Sequence, residues 1–139
     1  MSEMILPPGW PRPSGYSNAM AAHGRIIAVA GQVGWNPLTS QFDSDDFVVQ
    51  TRQALRNVLE VLKAARATPA QVIRLTWYVT DRAAYVAALE EVGKAYREVF
   101  GPVYPAMTLV VVSALLERRA KIEIEATAVV GDTRAGPRR

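Results

Sequence analysis

One segment late in the chain, Met107–Ser113 (MTLVVVS), restricts the fold more than any other. Its β-branched residues call for a strand, and Val110 and Val112 on one side with Leu109 and Val111 on the other leave neither face suited to water. Such a strand needs cover on both faces. Phe47, Leu55, Val58, Leu59 and Leu62 recur at helical spacing, as do Tyr85, Leu89, Val92, Tyr96 and Val99, which predicts two helices with one apolar stripe each. Two one-sided helices cover a single face of a sheet. The second face is then expected to be covered by another copy of the chain, in a closed cyclic assembly.

The remaining elements follow from local signals. Arg25–Val33 (RIIAVAGQV) reads as a strand, and His23-Gly24 before it as the turn of a hairpin beginning near Tyr16. Residues 34–46 are rich in Gly, Asn, Pro, Ser and Asp and read as a loop, with Asp43, Ser44 or Asp45 capping the first helix and Thr68-Pro69 ending it. Ile73, Leu75, Trp77 and Val79 alternate with Arg74, Thr76, Tyr78 and Thr80 in a third strand. Asp81 caps the second helix and Phe100-Gly101-Pro102 stops it. Lys121–Val130 (KIEIEATAVV) alternates again. The order β-β-α-β-α-β-β predicts an α+β, two-layer fold: a mixed sheet of five to six strands with two helices on one face. The expected division is an extended Pro-rich arm at 1–15, one domain at 16–130 and a disordered basic tail at 131–139.

Composition excludes several kinds of chemistry. The 139 residues contain no cysteine and one histidine, so thiolate metal sites, two-histidine motifs and cysteine nucleophiles are ruled out, and His23 reads as a turn residue. The net charge of +3 does not describe a nucleic-acid surface, because the last nine residues carry three arginines against one aspartate. Arg52, Arg56, Lys63 and Arg66 read as the solvated face of the first helix. With no run long enough to cross a bilayer and no signal-peptide pattern, a cytoplasmic protein with no membrane partner is expected.

The polar groups left for chemistry are carboxylates, tyrosines, arginines and backbone amides. Glu123 and Glu125, two apart on a strand, share a face. Buried, they fit a general acid or base; solvated, they are an ordinary strand face with Lys121 as partner. Gly31-Gln32 at a strand end allows close backbone approach to a ligand, or merely begins a loop. Trp35 and Trp77 read as core or as ligand platforms, and Trp35, in a polar loop, is the harder to explain as core. No phosphate-binding loop, dinucleotide fingerprint, zinc-protease motif or nucleophile elbow is present.

Five motifs in order then carry a resemblance: Gly31-Gln32-Val33 with Asn36-Pro37; Gln50 to Asn57 (QTRQALRN); Thr76 to Asp81 (TWYVTD); Tyr104-Pro105-Ala106; and Lys121 to Ala126 (KIEIEA). Over residues 16–130 the chain resembles the RidA/YjgF family. The resemblance implies a RidA-like fold, similar to the chorismate-mutase-like arrangement, in a homotrimer whose sheets surround a central barrel and whose three clefts lie between subunits. It implies deamination of 2-imino or enamine acids to 2-keto acids and ammonia, with a small-molecule ligand and no metal or organic cofactor. It assigns Glu123 to the catalytic position that orients water, and makes Tyr16 a pocket tyrosine, Gly31 a backbone contact, and Gly93 the place where the imine-hydrolysing branch often has asparagine.

One departure qualifies this. Met107 stands where that branch carries a carboxylate-clamping arginine, and removing such a guanidinium from a buried site costs about 3–5 kcal/mol. The usual 2-iminopropanoate or 2-iminobutanoate is therefore not the expected substrate. Met107 with Trp35, Tyr104 and Trp77 points to a more apolar cleft and a larger or less charged ligand, with Arg118 or Arg119 as candidate substitute clamps. An imine or enamine deaminase and a non-catalytic trimeric binding protein both stay open. An endoribonuclease or translation inhibitor ranks last, since the charge sits in a tail and no histidine pair exists.

Overall fold

Leu75, Trp77 and Val79 alternate with Arg74, Thr76 and Tyr78, and that period of two sends the first set into the core and the second to the opposite face of the sheet. A computed structural model describes residues 2–131. Its strands are β1 (Ser2–Ile5), β2 (Ala19–Ala22), β3 (Arg25–Val33), β4 (Val72–Val79), β5 (Ala106–Val111) and β6 (Ile122–Val130). Its helices are α1 (Phe47–Ala64), α2 (Arg82–Ala87) and α3 (Leu89–Phe100), with a 3-10 turn at Pro69–Gln71. The main sheet runs β3-β6-β4-β5, antiparallel except for the parallel pair β4 and β5. The fold is α+β with a mixed sheet, as expected.

The sheet has four strands rather than five or six, because β1 and β2 pair with each other in a separate two-stranded unit. The hairpin expected across His23-Gly24 therefore does not form. Gly24 has φ +147, and a Cβ there would strike the Val130 backbone, so this glycine packs against the end of β6. The first residues of the Pro-rich arm are a strand as well, with Ser2 opposite Ala22 and Ile5 opposite Ala19. Apart from Gly131, the expected tail lies outside the described residues.

Asp46, one residue past the expected candidates, caps α1 by accepting from the Val49 amide at 3.0 Å. The helix closes at Ala64, and Arg66 follows in the left-handed region (φ 61). Asp81 caps α2 as expected, accepting from the Ala84 amide at 3.1 Å. The second helix is two, interrupted at Ala88 (φ −106, ψ 13), where neither proline nor glycine marks the break. The two stripes meet the sheet: Leu55, Val58 and Leu62 of α1 and Val92, Tyr96 and Phe100 of α3 pack with Leu75, Trp77, Ile122 and Ile124. Strand β5 lies at the sheet edge, and Val110 and Val111 stay exposed in the single chain.

Candidate functional site

The site begins with an anchored turn. Ser17 is buried; its amide donates to the Pro105 carbonyl at 3.0 Å and its hydroxyl to the Tyr104 carbonyl at 2.6 Å. These bonds tie the segment carrying Tyr16 to the residues that lead into β5. Tyr104 stacks on Tyr96 with ring centroids 6.0 Å apart, and Tyr96 packs on Trp77 at 6.3 Å. The Tyr96 hydroxyl donates to the Val103 carbonyl.

Between this anchor and α3 lies a cavity of about 700 Å³, within the range of small-molecule sites. Tyr16, Tyr104 and Met107 line it together, with Trp77 beneath and Tyr85, Leu89 and Arg97 among its walls. Trp77 is nearly fully buried and its indole N–H has no hydrogen-bond partner. Burial raises the Tyr85 hydroxyl pKa. Burial, reinforced by Tyr104, pushes that of Tyr96 far up. Both stay protonated at neutral pH and shape the cavity as neutral rings.

Glu123 and Gly31 lie elsewhere. Met107 stands in register with Leu75 on the helix-covered side, whereas Glu123 is opposite Tyr78 on the open side. There the half-buried Glu123 carboxylate occupies the space a Cβ at 31 would fill, so glycine is what allows it to lie against β3. Tyr78 donates to Glu125 at 3.2 Å. Loss of hydration, then the charge and hydrogen bond of Glu125, then the charge of Glu123, raise the Tyr78 pKa.

Trp35 does not line the cavity. It is half-buried in the loop after β3, 5.8 Å from the Phe42 ring, with its carbonyl held by the Asn57 side chain at 2.9 Å. Asn57 also holds the Val33 carbonyl and accepts from Gln53, while Gln50 donates to the Ser44 and Arg119 carbonyls and accepts from the Lys121 amide. The QTRQALRN motif thus supplies buried struts that join α1 to the loops around β3 and β6. Arg119 pairs with Asp45 at 3.0 Å and lies over the Phe42 ring, and neither it nor Arg118 lines the cavity. Within one chain neither nominated substitute clamp reaches this cavity, whereas Arg97, which sequence reasoning passed over, lines it. Its one signal was the spacing of four from Gly93. Among the described residues no group of three His, Cys, Asp or Glu gathers as a metal site needs, and no helix is long and apolar enough to cross a membrane.

Comparison with known proteins gives a consistent result. A family model described as Endoribonuclease L-PSP matches residues 11–130. A RutC family protein of Pyrococcus horikoshii is 39% identical over 129 residues, covering 92% of this chain and 98% of that protein. The human 2-iminobutanoate/2-iminopropanoate deaminase is 33% identical over 116 residues, covering 84% of this chain and 80% of that protein. Among solved structures, a Rid family protein of unknown function from Yersinia pestis superposes with a TM-score of 0.78 at 37% identity, covering 93% of this chain and 98% of that one.

Proposed function

The chain belongs to the RidA/YjgF family, the Endoribonuclease L-PSP family of the matching model, and from that membership and the two half-sites on its sheet we propose that it hydrolyses an imine or enamine in clefts between the subunits of a homotrimer. Glu123 is the catalytic residue of this reading. Its carboxylate takes a proton from water as the oxygen adds to the C=N carbon, and the protonated Glu123 gives that proton to the nitrogen to form the carbinolamine; the carbinolamine hydroxyl proton then passes through the carboxylate to nitrogen as the C–N bond breaks, releasing ammonia and the carbonyl product. Imine and water go in, carbonyl compound and ammonia come out, and no cofactor takes part.

The observation that carries the reading is the seat of Glu123 against Gly31, two residues assigned separately and found together. The sheet favours a cleft between subunits. Tyr16, Tyr104 and Met107 lie on its helix-covered side and Glu123 on its open side, so one chain does not bring them onto one ligand; in the proposed trimer the open face of one subunit meets the edge of another. The same docking covers Val110 and Val111 and desolvates Glu123.

Turnover is measured with imines generated in situ by an amino-acid oxidase, following imine loss against the spontaneous rate, with mass in solution measured alongside. A trimer is expected, and Glu123→Gln is expected to lower the catalysed rate at least 100-fold with its folding and trimer intact. A wild-type rate equal to the spontaneous one rejects catalysis. The apolar Met107 then leaves the second reading, a trimer that binds its ligand without turnover. Cleavage of RNA unaffected by Glu123→Gln is the outcome that favours the nuclease.

A further inference from the structure

The cavity holds one charged side chain. Its aromatic and aliphatic walls give way at Arg97, on α3. A helical side chain leans toward the helix N-terminus and covers the turn before it, which places Arg97 over position 93. That position is glycine, and a Cβ there would stand 3.3 Å from the Arg97 Nη1. The bare turn leaves the exposed guanidinium room to lie along the helix at the cavity rim, where a Cβ would crowd it by a few tenths of an ångström. Two of the three carboxylates on α3 are already engaged: Glu98 with Arg52 at 3.0 Å and Arg56 at 3.3 Å, Glu90 with Lys94 at 3.6 Å. Among the described residues Arg97 has no ion-pair partner.

An unpaired guanidinium beside an aromatic cavity is a directional receptor for a planar carboxylate, since its forked N–H groups match two carboxylate oxygens. The cavity's volume and its Trp77, Tyr96 and Tyr104 rings suit a ring more than a methyl group. We propose that Arg97 is the carboxylate-binding residue of this cavity and that its ligands are 2-imino or 2-keto acids with an aromatic side chain. The guanidinium holds the carboxylate and the ring lies among the cavity aromatics. This rests on the deaminase reading for the reacting group and adds to it the substrate class.

The test is equilibrium binding by calorimetry, with three probes: phenylpyruvate, the uncharged phenylacetone and the small pyruvate. Phenylpyruvate is expected to bind the wild-type protein at least about tenfold more tightly than either other probe. Arg97→Met is expected to weaken phenylpyruvate by about 10- to 100-fold and leave phenylacetone within about twofold, with Arg97→Lys in between. An unchanged phenylpyruvate affinity in Arg97→Met overturns the proposal, as does a wild-type protein that does not bind phenylpyruvate; equal affinity for pyruvate overturns the aromatic class. No turnover enters these constants. A protein that binds phenylpyruvate through Arg97 but fails to hydrolyse the corresponding imine refutes the deaminase reading and leaves this one standing.

Discussion

The two faces of the main sheet are built on different terms. On the helix-covered side the aromatic wall of the cavity is placed by packing within one chain: Tyr104 on Tyr96, Tyr96 on Trp77, and the Tyr16 segment tied down through Ser17. On the open side Glu123, Glu125, Tyr78 and Thr76 stand half-buried or exposed, with Glu123 lodged against Gly31 and Tyr78 bonded to Glu125. The first region is a cavity fixed by its own chain, the second a face of the sheet left open. Under the proposed function, substrate affinity belongs mainly to the first and the chemical step to the second, so single substitutions should separate the two.

The largest separation is expected on the open side. Gly31→Ala puts a methyl group where the Glu123 carboxylate lies. The displaced group is the end of a flexible side chain, so the fold yields cheaply and the carboxylate moves. Turnover is expected to fall about 10- to 100-fold, with a stability change below about 1 kcal/mol in denaturant titration and unchanged phenylpyruvate binding. A Gly31→Ala protein with wild-type kcat shows that this seat does not set the position of Glu123 for catalysis.

On the covered side the next effect is one of stability. Tyr96→Phe removes the bond to the Val103 carbonyl and is expected to cost about 1 kcal/mol at neutral pH. The Tyr96 pKa is raised by burial, then by Tyr104, so the folded state holds its proton more tightly than the unfolded state. The stability this represents is fully present below the unfolded value near 10 and is lost as pH rises above it. Wild-type protein should therefore lose stability on the alkaline side, and Tyr96→Phe should show a shallower loss in melts at pH 8 to 11. Parallel curves place the alkaline loss in another group.

Period and punctuation carried most of the architecture. The apolar stripes of α1 and α3, the alternation in β4 and β6, and the Asp81 cap are local properties that survive into the fold. What failed was pairing. The chain from His23 to Arg25 does turn, yet Ala19–Ala22 finds its partner in Ser2–Ile5, a competition between distant segments with no local signature. The site divides along the same line. Glu123 with Gly31, and Tyr16 with Tyr104 and Met107, were named from motifs, and each set is spatially coherent. Trp35 was grouped with them on composition alone, and Asn57 instead holds its loop away from the cavity. Arg97 escaped notice because an arginine on a helix is ordinarily a solvated charge; it is exposed here too, and only the cavity and glycine beside it distinguish it.

Those neighbours make Gly93 the place where folding and binding are expected to part by the smallest measurable margin. Glycine within a helix costs about 0.5–1 kcal/mol relative to alanine because it loses more backbone freedom on folding. Gly93→Ala should therefore raise stability by about that amount, with one opposing contact, the Arg97 Nη1 at 3.3 Å from the new methyl group. That contact is relieved by moving the guanidinium. The expected variant is slightly more stable than the wild type and binds phenylpyruvate several-fold more weakly, with phenylacetone unchanged. Higher stability with undiminished carboxylate binding means that the bare turn plays no part in aiming Arg97, and the glycine then needs another cause.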